Sequence, residues 1–496
     1  MSREPYLTKS SYVRGITCQR LLWLGWHKRL PYEEPPPGSP AAVGTEIGNM
    51  AHKLFPGGIL VDQEPWQHEE AVARTRALMA DPAVPAIFEA AYEHSGVRIR
   101  ADVMERLSDD SWGLREVKSA SRVKARYIDD AAVQAFVLEH SDVNLRSIEI
   151  IHVNTKYVYP GGDTAWPLYF QRSDVADQVR AAMPDIADTI ANHFATLHEP
   201  DEPPVEPSPH CPANCDYWDH CTARKPHDWI LNLPRLSQTK FDTLHASGVD
   251  RITEIPDDFN LTDQQDRMRD VLVASRPYVS DRLNADLAHL EGPAAYLDFE
   301  AMNPAMPIYP GTRPYQRIPF QWSLHRKDGT DTLSHADFLA ASTSDPREGF
   351  TASLVDALAG QAQEPIVVYS SYEKSVLREM AELFPIYADD LEAIIDRLAD
   401  LYVIVRNNVY LEGFAGSYSI KTVGKTLAPG FSYANLDHVA DGAEAATTFE
   451  RLARNDVPAD EAAVLRNALI EYCRHDTLAM VKAHQGLRDL AAGVPA

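Results

Sequence analysis

The chain has 496 residues, of which 45% are hydrophobic and 9% aromatic, and its formal net charge at pH 7 is −25. This length and composition predict a globular protein of two to four domains with well-packed cores. The strong negative charge argues against a broad basic surface for nucleic acid. Residues 115–126, REVKSASRVKAR, nevertheless carry five basic residues against one acid. Such a run is typical of a solvated charged face or of phosphate contacts.

The sequence contains no sign of a secretion signal or a membrane anchor. The N-terminus has scattered charges and no apolar h-region, and no later segment approaches the roughly 18 uninterrupted apolar residues that a membrane span needs. We therefore expect a cytoplasmic protein without a membrane partner. Five cysteines, an odd number, argue against a disulfide framework because the cytosol keeps thiols reduced. Three of them lie in CPANCDYWDHC at 211–221, which favours a metal site.

The first candidate site lies on a predicted hairpin. The strands RIRADVMERL and GLREVKSAS flank the turn-prone SDDSWG, so Asp102 and Glu116 are equidistant from Asp109 and should lie opposite each other. Lys118 follows Glu116 by two residues and should share its face. Two facing acids beside a lysine predict a site for Mg²⁺ or Mn²⁺, with the lysine orienting and helping to deprotonate the attacking water. An exposed hairpin with a surface Glu/Lys pair is the alternative.

Predicted helices flank this hairpin on both sides. GTEIGNMAHKLF carries His52 and YIDDAAVQAFVLE carries Gln134. The order His52, Asp102, Glu116-x-Lys118, Gln134 resembles the P-D-(D/E)-x-K nuclease superfamily, in particular its RecB-like branch. The resemblance implies a restriction-endonuclease-like core in which His52 adds a metal ligand to the two acids and Gln134 helps to position the substrate.

One cysteine precedes this core and three follow it. Cys18 lies in YVRGITCQRLLWLG, and Cys211, Cys215 and Cys221 form the later group. This arrangement resembles the RecB-like nucleases with an iron–sulfur cluster, which are known beside CRISPR systems and in AddB-type helicase-nucleases. It implies a [4Fe-4S] cluster on the four thiolates, closing a long loop. The alternative is a structural zinc ion, completed by a nearby histidine: His210, His220 or His227.

A proline-rich segment and a helical linker separate the two halves of the chain. HEPDEPPVEPSPHCP at 198–212 excludes a continuous helix or strand. Next, LPRLSQTKFDTLHASGVDRITEIP resembles half of a helix-hairpin-helix element, which often contacts the DNA backbone; a packed helical linker is the alternative. From residue 291, the strands AAYLDFEAM, FQWSLH and PIVVYSS alternate with helical stretches, which is typical of an α/β domain.

The second candidate site combines a strand and a late helix. Asp298 and Glu300 lie two apart on a strand and should point the same way. Tyr472 and Asp476, at helical i and i+4, share one face. The pattern resembles the DEDDy exonucleases of the DnaQ-like, RNase H-like fold. It implies two divalent ions held by the acids and a tyrosine that orients the nucleophile. The alternative is an ordinary acid pair at a strand end beside an amphipathic helix.

The corner PIVVYSSYEKSVLREM departs from this family pattern, because Glu373 stands where such enzymes have an aspartate. A longer carboxylate can reach a metal directly or through water, but the change puts the activity of the second site in doubt. Asp396 and Asp400 are candidates for a compensating acid. Cys473 is expected to be a buried small residue. The Pro-, Tyr- and Arg-rich segment 303–325 predicts a loop that lines a single-strand channel or covers the sheet.

The stretches GSYSIKTVG, EYCRHDTLAM and CPANCDYWDHC together resemble a bacterial family of unknown function that fuses these two parts. We therefore predict an α/β multidomain protein: a RecB-like nuclease domain at 1–227, a helical linker at 228–290 and an RNase H-like exonuclease domain at 291–496. The predicted function is a metal-dependent deoxyribonuclease acting on DNA ends or single strands, in DNA repair or defence against foreign DNA, with a helicase or a repair or defence protein as candidate partner. The alternatives are an RNA-processing nuclease and a nucleic-acid-binding scaffold with a degenerate second site.

Overall fold

The fold is described from a computed structural model, over residues 4–212, 214–360, 364–434, 436 and 438–494. The chain divides into two compact units. The first unit comprises Met1–Ala223 and Ala305–Tyr315, and the second comprises Arg224–Pro304 and Gln316–Ala496. Each unit combines helices with a β-sheet, which confirms the predicted mixed α/β, multidomain class.

The first unit is built from short helices around one sheet. Its strands are β1 (Leu7–Thr8), β2 (Ile59–Leu60), β3 (Ala86–His94), β4 (Val97–Arg106), β5 (Trp112–Lys118), β6 (Leu145–Val153) and β7 (Phe170–Asp174). Its helices are α1 (Lys9–Thr17), α2 (Gln19–His27), α3 (Pro40–Ala51), α4 (His68–Ala80), α5 (Ala125–Glu139), α6 (Trp166–Tyr169), α7 (Ala176–Ala182), α8 (Ile186–His198) and α9 (Trp218–Thr222).

The sheet of the first unit has the order β2-β3-β4-β5-β6-β7, and β1 pairs in parallel with the start of β4. β3, β4 and β5 are antiparallel neighbours, whereas β5 and β6 are parallel and are connected through α5. Residues 131–138 of α5 are all buried, because this helix packs against the sheet as well as α1 and α7. The antiparallel β4–β5 hairpin is as predicted, with Val103 opposite Arg115.

The N-terminal helices meet at a cysteine. Thr8 caps α1 through a capping box, and Cys18 is both the C-cap of α1 and the N-cap of α2. The next expected helix differs slightly from its prediction, since α3 ends at Ala51 and His52 begins a 3-10 turn. In the described part of the proline-rich segment, α8 ends at His198 and no further helix or strand is formed before the cysteine loop, as predicted.

The second unit is also built from strands and helices. Its strands are β8 (Tyr278–Val279), β9 (Ala294–Met302), β10 (Ile318–Lys327), β11 (Leu333–Leu339), β12 (Ile366–Val368), β13 (Leu398–Asp400) and β14 (Val409–Tyr410). Its helices are α10 (Gln238–Ala246), α11 (Asp263–Ala274), α12 (Leu283–Leu287), α13 (Arg347–Leu358), α14 (Tyr372–Leu383), α15 (Ala388–Ile395), α16 (Leu401–Asn408), α17 (Ile420–Leu427), α18 (Gly442–Arg454) and α19 (Ala459–Ala491).

The main sheet of the second unit has the order β11-β10-β9-β12-β13. β9, β10 and β11 are antiparallel neighbours, and β12 and β13 run parallel to β9. Leu297 and Phe299 pack in a core with α13, α14 and α15, whereas Tyr296 packs in a second core with α19. Strand alternation therefore directs Asp298 and Glu300 toward the α19 side of the sheet.

The segment 228–290 shares the core on the α19 side of that sheet. Phe241 and Leu244 of α10 and Ile252 and Ile255 after it are buried in this cluster, as a packed helical segment requires. Residues 305–315, from the segment that follows Asp298 and Glu300, belong to the first unit. There, Tyr169 Oη donates a hydrogen bond to the Ala305 carbonyl at 3.0 Å.

None of the helices in the described part of the chain has both the length and the apolar character needed to cross a membrane.

Candidate metal and thiolate sites

The first acidic cluster is centred on the carboxylates of Asp102 and Glu116, which lie on the facing strands β4 and β5. Both carboxylates contact the ammonium of Lys9, the first residue of α1. Lys9 Nζ lies 3.0 Å from Asp102 Oδ1 and 3.0 and 3.2 Å from the two oxygens of Glu116. Asp102 also accepts a hydrogen bond from the Val117 backbone at 2.8 Å. The two predicted ligands therefore converge around one cation.

Two further side chains contact Glu116, which is fully buried. Lys118 Nζ lies 2.6 Å from Glu116 Oε1 and 2.5 Å from Asp130 Oδ2. Gln134 donates a hydrogen bond from Nε2 to Glu116 Oε2 at 2.7 Å. Asp130 and Gln134 are one turn apart on α5, so one helix face completes the cluster. The structure thus brings together Asp102, Glu116, Lys118 and Gln134.

Burial and charge make the carboxyls of this cluster unequal. Burial and the neighbouring Glu116 charge raise the pKa of Asp102. Burial opposes ionisation of Glu116 as well, but Lys9 and Lys118 outweigh it and lower the pKa of Glu116. Burial and the Glu116 charge raise the pKa of Asp130 to about 6. Glu116 is therefore the most strongly ionised acid of the cluster, as a cation ligand must be.

Glu89 is a third acid near this pair that the sequence did not suggest. The β3–β4 register is the same on both sides of it, with Phe88 opposite Val103 and Ala90 opposite Ala101, so Glu89 lies opposite Asp102. Its φ is 54°, and burial and the charge of Asp102 raise the pKa of Glu89 to about 7. A non-glycine residue in the left-handed region is costly, and such residues cluster at active sites.

His52 does not join the acids. Its ring stacks on Phe88 with centroids 3.9 Å apart, and burial, followed by the charge of Lys53, lowers its pKa. Among the described residues, His52, Asp102 and Glu116 do not form a group whose ligand atoms lie within 4.8 Å of one another. The side chain that the structure places between the two carboxylates is Lys9.

The structure brings the four predicted cysteines together. Cys18, Cys211, Cys215 and Cys221 line one cavity, and three of them pack on an apolar cluster that includes Leu21 and Leu24. Backbone N–H groups point at two sulfurs: Leu21 N to Cys18 Sγ and Ser208 N to Cys211 Sγ, both at 3.4 Å. Such hydrogen bonds to sulfur, with apolar surroundings, are a feature that tunes iron–sulfur clusters.

The loop that carries three of the cysteines is fastened to α2. Tyr217 Oη donates to the backbone carbonyls of Leu24 and Lys28, at 3.2 and 3.1 Å. Glu202 accepts hydrogen bonds from Arg20 and Lys28. Burial raises the pKa of Cys211 and of Cys221, so these thiols ionise less readily than exposed ones.

The histidines near this loop are engaged elsewhere or exposed. His220 Nε2 lies 2.9 Å from Glu202, and the His227 side chain is 78% exposed. Zinc–sulfur bonds of about 2.3 Å place the sulfurs of a tetrahedral site about 3.8 Å apart. In the described part of the chain, no three cysteine or histidine ligand atoms of this loop lie within 4.8 Å of one another.

The second acidic cluster lies between β9 and α19. Glu300 and Asp476 are buried, and the ligand atoms of Asp298, Glu300 and Cys473 lie within 4.8 Å of one another. Burial and the charge of Asp476 raise the pKa of Asp298 well above its ordinary value and that of Glu300 to about 8. Carboxyls this close are mutually repulsive without a cation.

Two tyrosines and a lysine surround Asp476. Tyr433 Oη donates a hydrogen bond to Asp476 Oδ1 at 2.7 Å, and Tyr472 donates another from one turn earlier on α19. Lys421 Nζ lies 5.0 Å from the ring centroid of Tyr472 and 5.4 Å from that of Tyr433. Its charge partly offsets those of Glu300 and Asp476.

Glu373, at the start of α14, is buried, and its charge adds to the rise in the pKa of Asp298 and of Glu300. Ser370 Oγ donates to Glu373 Oε2 at 3.1 Å. Burial raises the pKa of Glu373 to about 7 despite this hydrogen bond, and Asp400 adds to the rise. Asp400 accepts a hydrogen bond from Tyr402 N at 3.0 Å as the N-cap of α16, whereas Asp396 is exposed at the end of α15. Of the two candidate compensating acids, Asp400 is the one whose charge raises the pKa of Glu373.

Cys473 is fully buried, as expected. Its thiol points at Asp298, with Sγ 3.8 Å from Oδ2. Burial and the Asp298 charge raise the pKa of this thiol well above its ordinary value, so Cys473 is a weak hydrogen-bond donor to the acid.

Sequence reasoning missed five residues around the two acidic clusters: Lys9, Glu89, Asp130, Lys421 and Tyr433. Asp130 carried a usable signal, because it is four residues before Gln134 on a predicted helix. Lys421 lies in GSYSIKTVG, a stretch that contributed only its resemblance to a bacterial family of unknown function. The others reach their sites through contacts between distant parts of the chain.

The family described as "Domain of unknown function (DUF2779)" matches residues 295–419. The match includes β9 and α14, and therefore Asp298, Glu300 and Glu373, but it ends before α19. No similar protein is found among curated proteins.

Proposed function

We propose that the protein is a metal-dependent nuclease with two hydrolytic sites that acts on DNA ends or single strands. The observation that carries the proposal is the convergence of buried acids in two separate clusters, from positions far apart in sequence. Asp102 and Glu116 meet on β4 and β5, and Asp298 meets Asp476 across more than 170 positions. Burying like charges is unfavourable unless cations join them.

The topology supports the two folds that the sequence resemblance implies. In the first unit, the antiparallel β3–β4–β5 meander followed by α5 and the parallel β6 fits a restriction-endonuclease-like core. In the second unit, three antiparallel strands followed by two parallel ones, in the order β11-β10-β9-β12-β13, fit an RNase H-like domain. Fold alone does not assign an activity, so the site residues carry the functional argument.

The first cluster fits one divalent cation, since Asp102 and Glu116 already surround the Lys9 ammonium. Mg²⁺ or Mn²⁺ bound there would activate water and neutralise charge on the scissile phosphate. Gln134 and Lys118 hold Glu116 in one orientation. Lys118 is the positive group best placed to orient the water and to donate a hydrogen bond to the phosphate, because it stays charged between Glu116 and Asp130.

The second cluster offers Asp298, Glu300 and Asp476 as cation ligands, with Glu373 at its edge. Their raised pKa values are those expected of carboxyls whose charge awaits a cation. Tyr472 and Tyr433 fix the Asp476 carboxylate, and the Tyr472 hydroxyl is the group that would orient the attacking water. Lys421 supplies positive charge where a phosphate would arrive.

The four thiolates fit a [4Fe-4S] cluster, which would have a structural role. It would join Cys18, at the start of the first unit, to the loop 211–221 at its end. Closing so long a loop restricts the unfolded chain and stabilises the folded unit. On this proposal the cluster holds the unit together and takes no part in hydrolysis.

A nuclease assay on end-labelled single-stranded DNA, duplex DNA and RNA tests the function. Lys118→Ala should abolish cutting by the first site and leave the iron content unchanged, and Asp298→Ala should remove only a separable second activity. Lys156→Ala, which changes an exposed lysine of the first unit, is the matched control. If both site variants cut like the parent protein, the site assignments are wrong. Binding without turnover would favour a scaffold, and preferential cutting of RNA an RNA-processing enzyme.

A further inference from the structure

Lys9 occupies the place that a cation at the first cluster would take. Its ammonium lies 3.0 to 3.2 Å from three oxygens of Asp102 and Glu116. Mg²⁺ binds carboxylate oxygens at about 2.0 to 2.1 Å, so an ion shared by these two carboxylates would need the same oxygens. An ammonium and a divalent ion in one small pocket repel each other. Only one of the two cations can therefore bind there at a time.

The surroundings of Lys9 allow such an exchange. The Lys9 side chain is 22% exposed, so its long flexible stem has a route toward solvent. The helix behind it is anchored independently of the acids: Thr8 caps α1, and the ring of His193 lies 3.0 Å from the Tyr12 carbonyl. The side chain can leave the pocket without the helix moving.

We propose that Lys9 sets the affinity of the first cluster for its divalent ion, because the ion must displace the Lys9 ammonium from between Asp102 and Glu116. The inference rests on the proposed nuclease function of this cluster. In the ion-free protein, Lys9 neutralises the pair and keeps the two carboxylates together. On ion binding, the displaced ammonium stays beside the cluster, on its open side, where the phosphate of a nucleic acid would approach.

The charges around the pocket agree with an exchange. Lys118 is held by Glu116 and Asp130, so it does not compete for Asp102. Lys9 is the cation that contacts both carboxylates of the pair in the described structure. Removing its charge leaves the same ligands with less competition, and a divalent ion should bind more tightly.

Mn²⁺ binding to the full chain, followed by the electron paramagnetic resonance signal of free Mn²⁺, tests this proposal. The background carries Asp298→Asn and Asp476→Asn, so that the second cluster does not contribute. Lys9→Met should tighten Mn²⁺ binding by at least about tenfold. Lys9→Gln, which keeps a polar side chain, should tighten it as well and covers the case in which Lys9→Met fails to fold. Lys156→Met should leave the affinity unchanged.

The outcomes separate this inference from the function it rests on. If Glu116→Gln abolishes Mn²⁺ binding but both Lys9 variants bind like the parent or more weakly, the role of Lys9 is wrong and the metal site stands. If neither the parent nor the Lys9 variants bind Mn²⁺ in this background, the metal site itself is wrong and the role of Lys9 falls with it. Iron content and the thermal unfolding midpoint confirm that each variant is folded.

Discussion

The hydroxyl of Tyr433 lies 2.7 Å from Asp476 Oδ1, although the two residues are 43 positions apart. This hydrogen bond, from the loop between α17 and α18, holds the carboxylate on α19. A hydrogen bond to a charged group contributes about 1.5 to 3 kcal/mol, and Asp476 can bind a cation only in a limited range of orientations. Tyr433 is therefore a positioning residue for the second cluster.

Tyr433→Phe should lower the activity of the second cluster about tenfold or more. The effect should appear in the rate of cutting by a chain that also carries Lys118→Ala, in which only the second cluster is active. Raising the Mg²⁺ concentration should recover part of the loss, because a less ordered ligand mainly weakens ion binding. Tyr387→Phe, at a tyrosine before α15, is the control, and an equal loss in both variants would contradict a specific role.

The raised pKa values of the second cluster predict a pH-dependent stability. The pKa of Glu300 is about 8 in the folded protein against an ordinary 4.5. As the pH rises, the unfolded chain therefore loses this proton at a lower pH than the folded protein does. Stabilisation by protonated Glu300 is complete below about pH 4.5 and is lost as the pH rises toward about 8. The unfolding midpoint of the ion-depleted protein should fall over this range, and Glu373, with a pKa of about 7, adds to the fall.

Divalent ions should reverse this trend, because an ion replaces the proton on these carboxyls. We expect Mg²⁺ to raise the midpoint more at about pH 8 than at about pH 6. Differential scanning fluorimetry of the parent, Glu300→Gln and the exposed-site control Glu412→Gln measures both effects. Glu300→Gln should flatten the pH dependence and weaken the Mg²⁺ response. A midpoint that is independent of both pH and Mg²⁺ in the parent would show that these acids are not a cation site.

Much of the first cluster could be predicted from local sequence. The turn centred on Asp109 determines which residues of the hairpin face each other, so the Asp102–Glu116 pair follows from counting. Strand alternation then places Lys118, and helical spacing places Gln134. The same two periodicities predict the relation of Asp298 to Glu300 and of Tyr472 to Asp476.

The parts that could not be predicted depend on other physical features. Lys9 reaches Glu116 across 107 positions, and no local period relates α1 to β5. Glu89 lies on β3, one strand beyond the predicted hairpin, with a φ of 54° that no sequence pattern specifies for a glutamate. His52 has helical spacing from nothing else in the cluster; its ring stacks on Phe88, and only the resemblance implies that it is a metal ligand.

The thiolate centre should contain iron and sulfide in the ratio of a [4Fe-4S] cluster after anaerobic purification. Cys18→Ser should lose most of both and lower the unfolding midpoint by several degrees, because the cluster binds only the folded chain. His220→Ala should retain them, since His220 is paired with Glu202. Iron and sulfide assays with metal analysis decide the matter. Zinc in the parent, lost in His220→Ala, would instead establish the mixed thiolate and histidine site.

Glu89 should contribute to the first cluster through its charge. Burial and Asp102 raise the pKa of Glu89 to about 7, so its carboxylate forms as the pH rises from about 6 to about 8. In a chain carrying Asp298→Ala, cutting by the first cluster should increase over this range. Glu89→Gln should lower the rate about tenfold or more and remove that increase, because the amide cannot ionise.

Glu93 provides the control on the same strand. It pairs with Arg98 and its side chain is 37% exposed, so Glu93→Gln should leave both the rate and the pH profile unchanged. If Glu89→Gln lowers the rate but keeps the increase with pH, residue 89 acts through the shape of its left-handed backbone and another group titrates. Glu89 interacts electrostatically with Lys9 as well as with Asp102. Glu89→Gln should therefore also weaken the attraction that holds Lys9 in the cluster. Mn²⁺ binding by this variant separates the effect of the Glu89 charge from that of its backbone conformation.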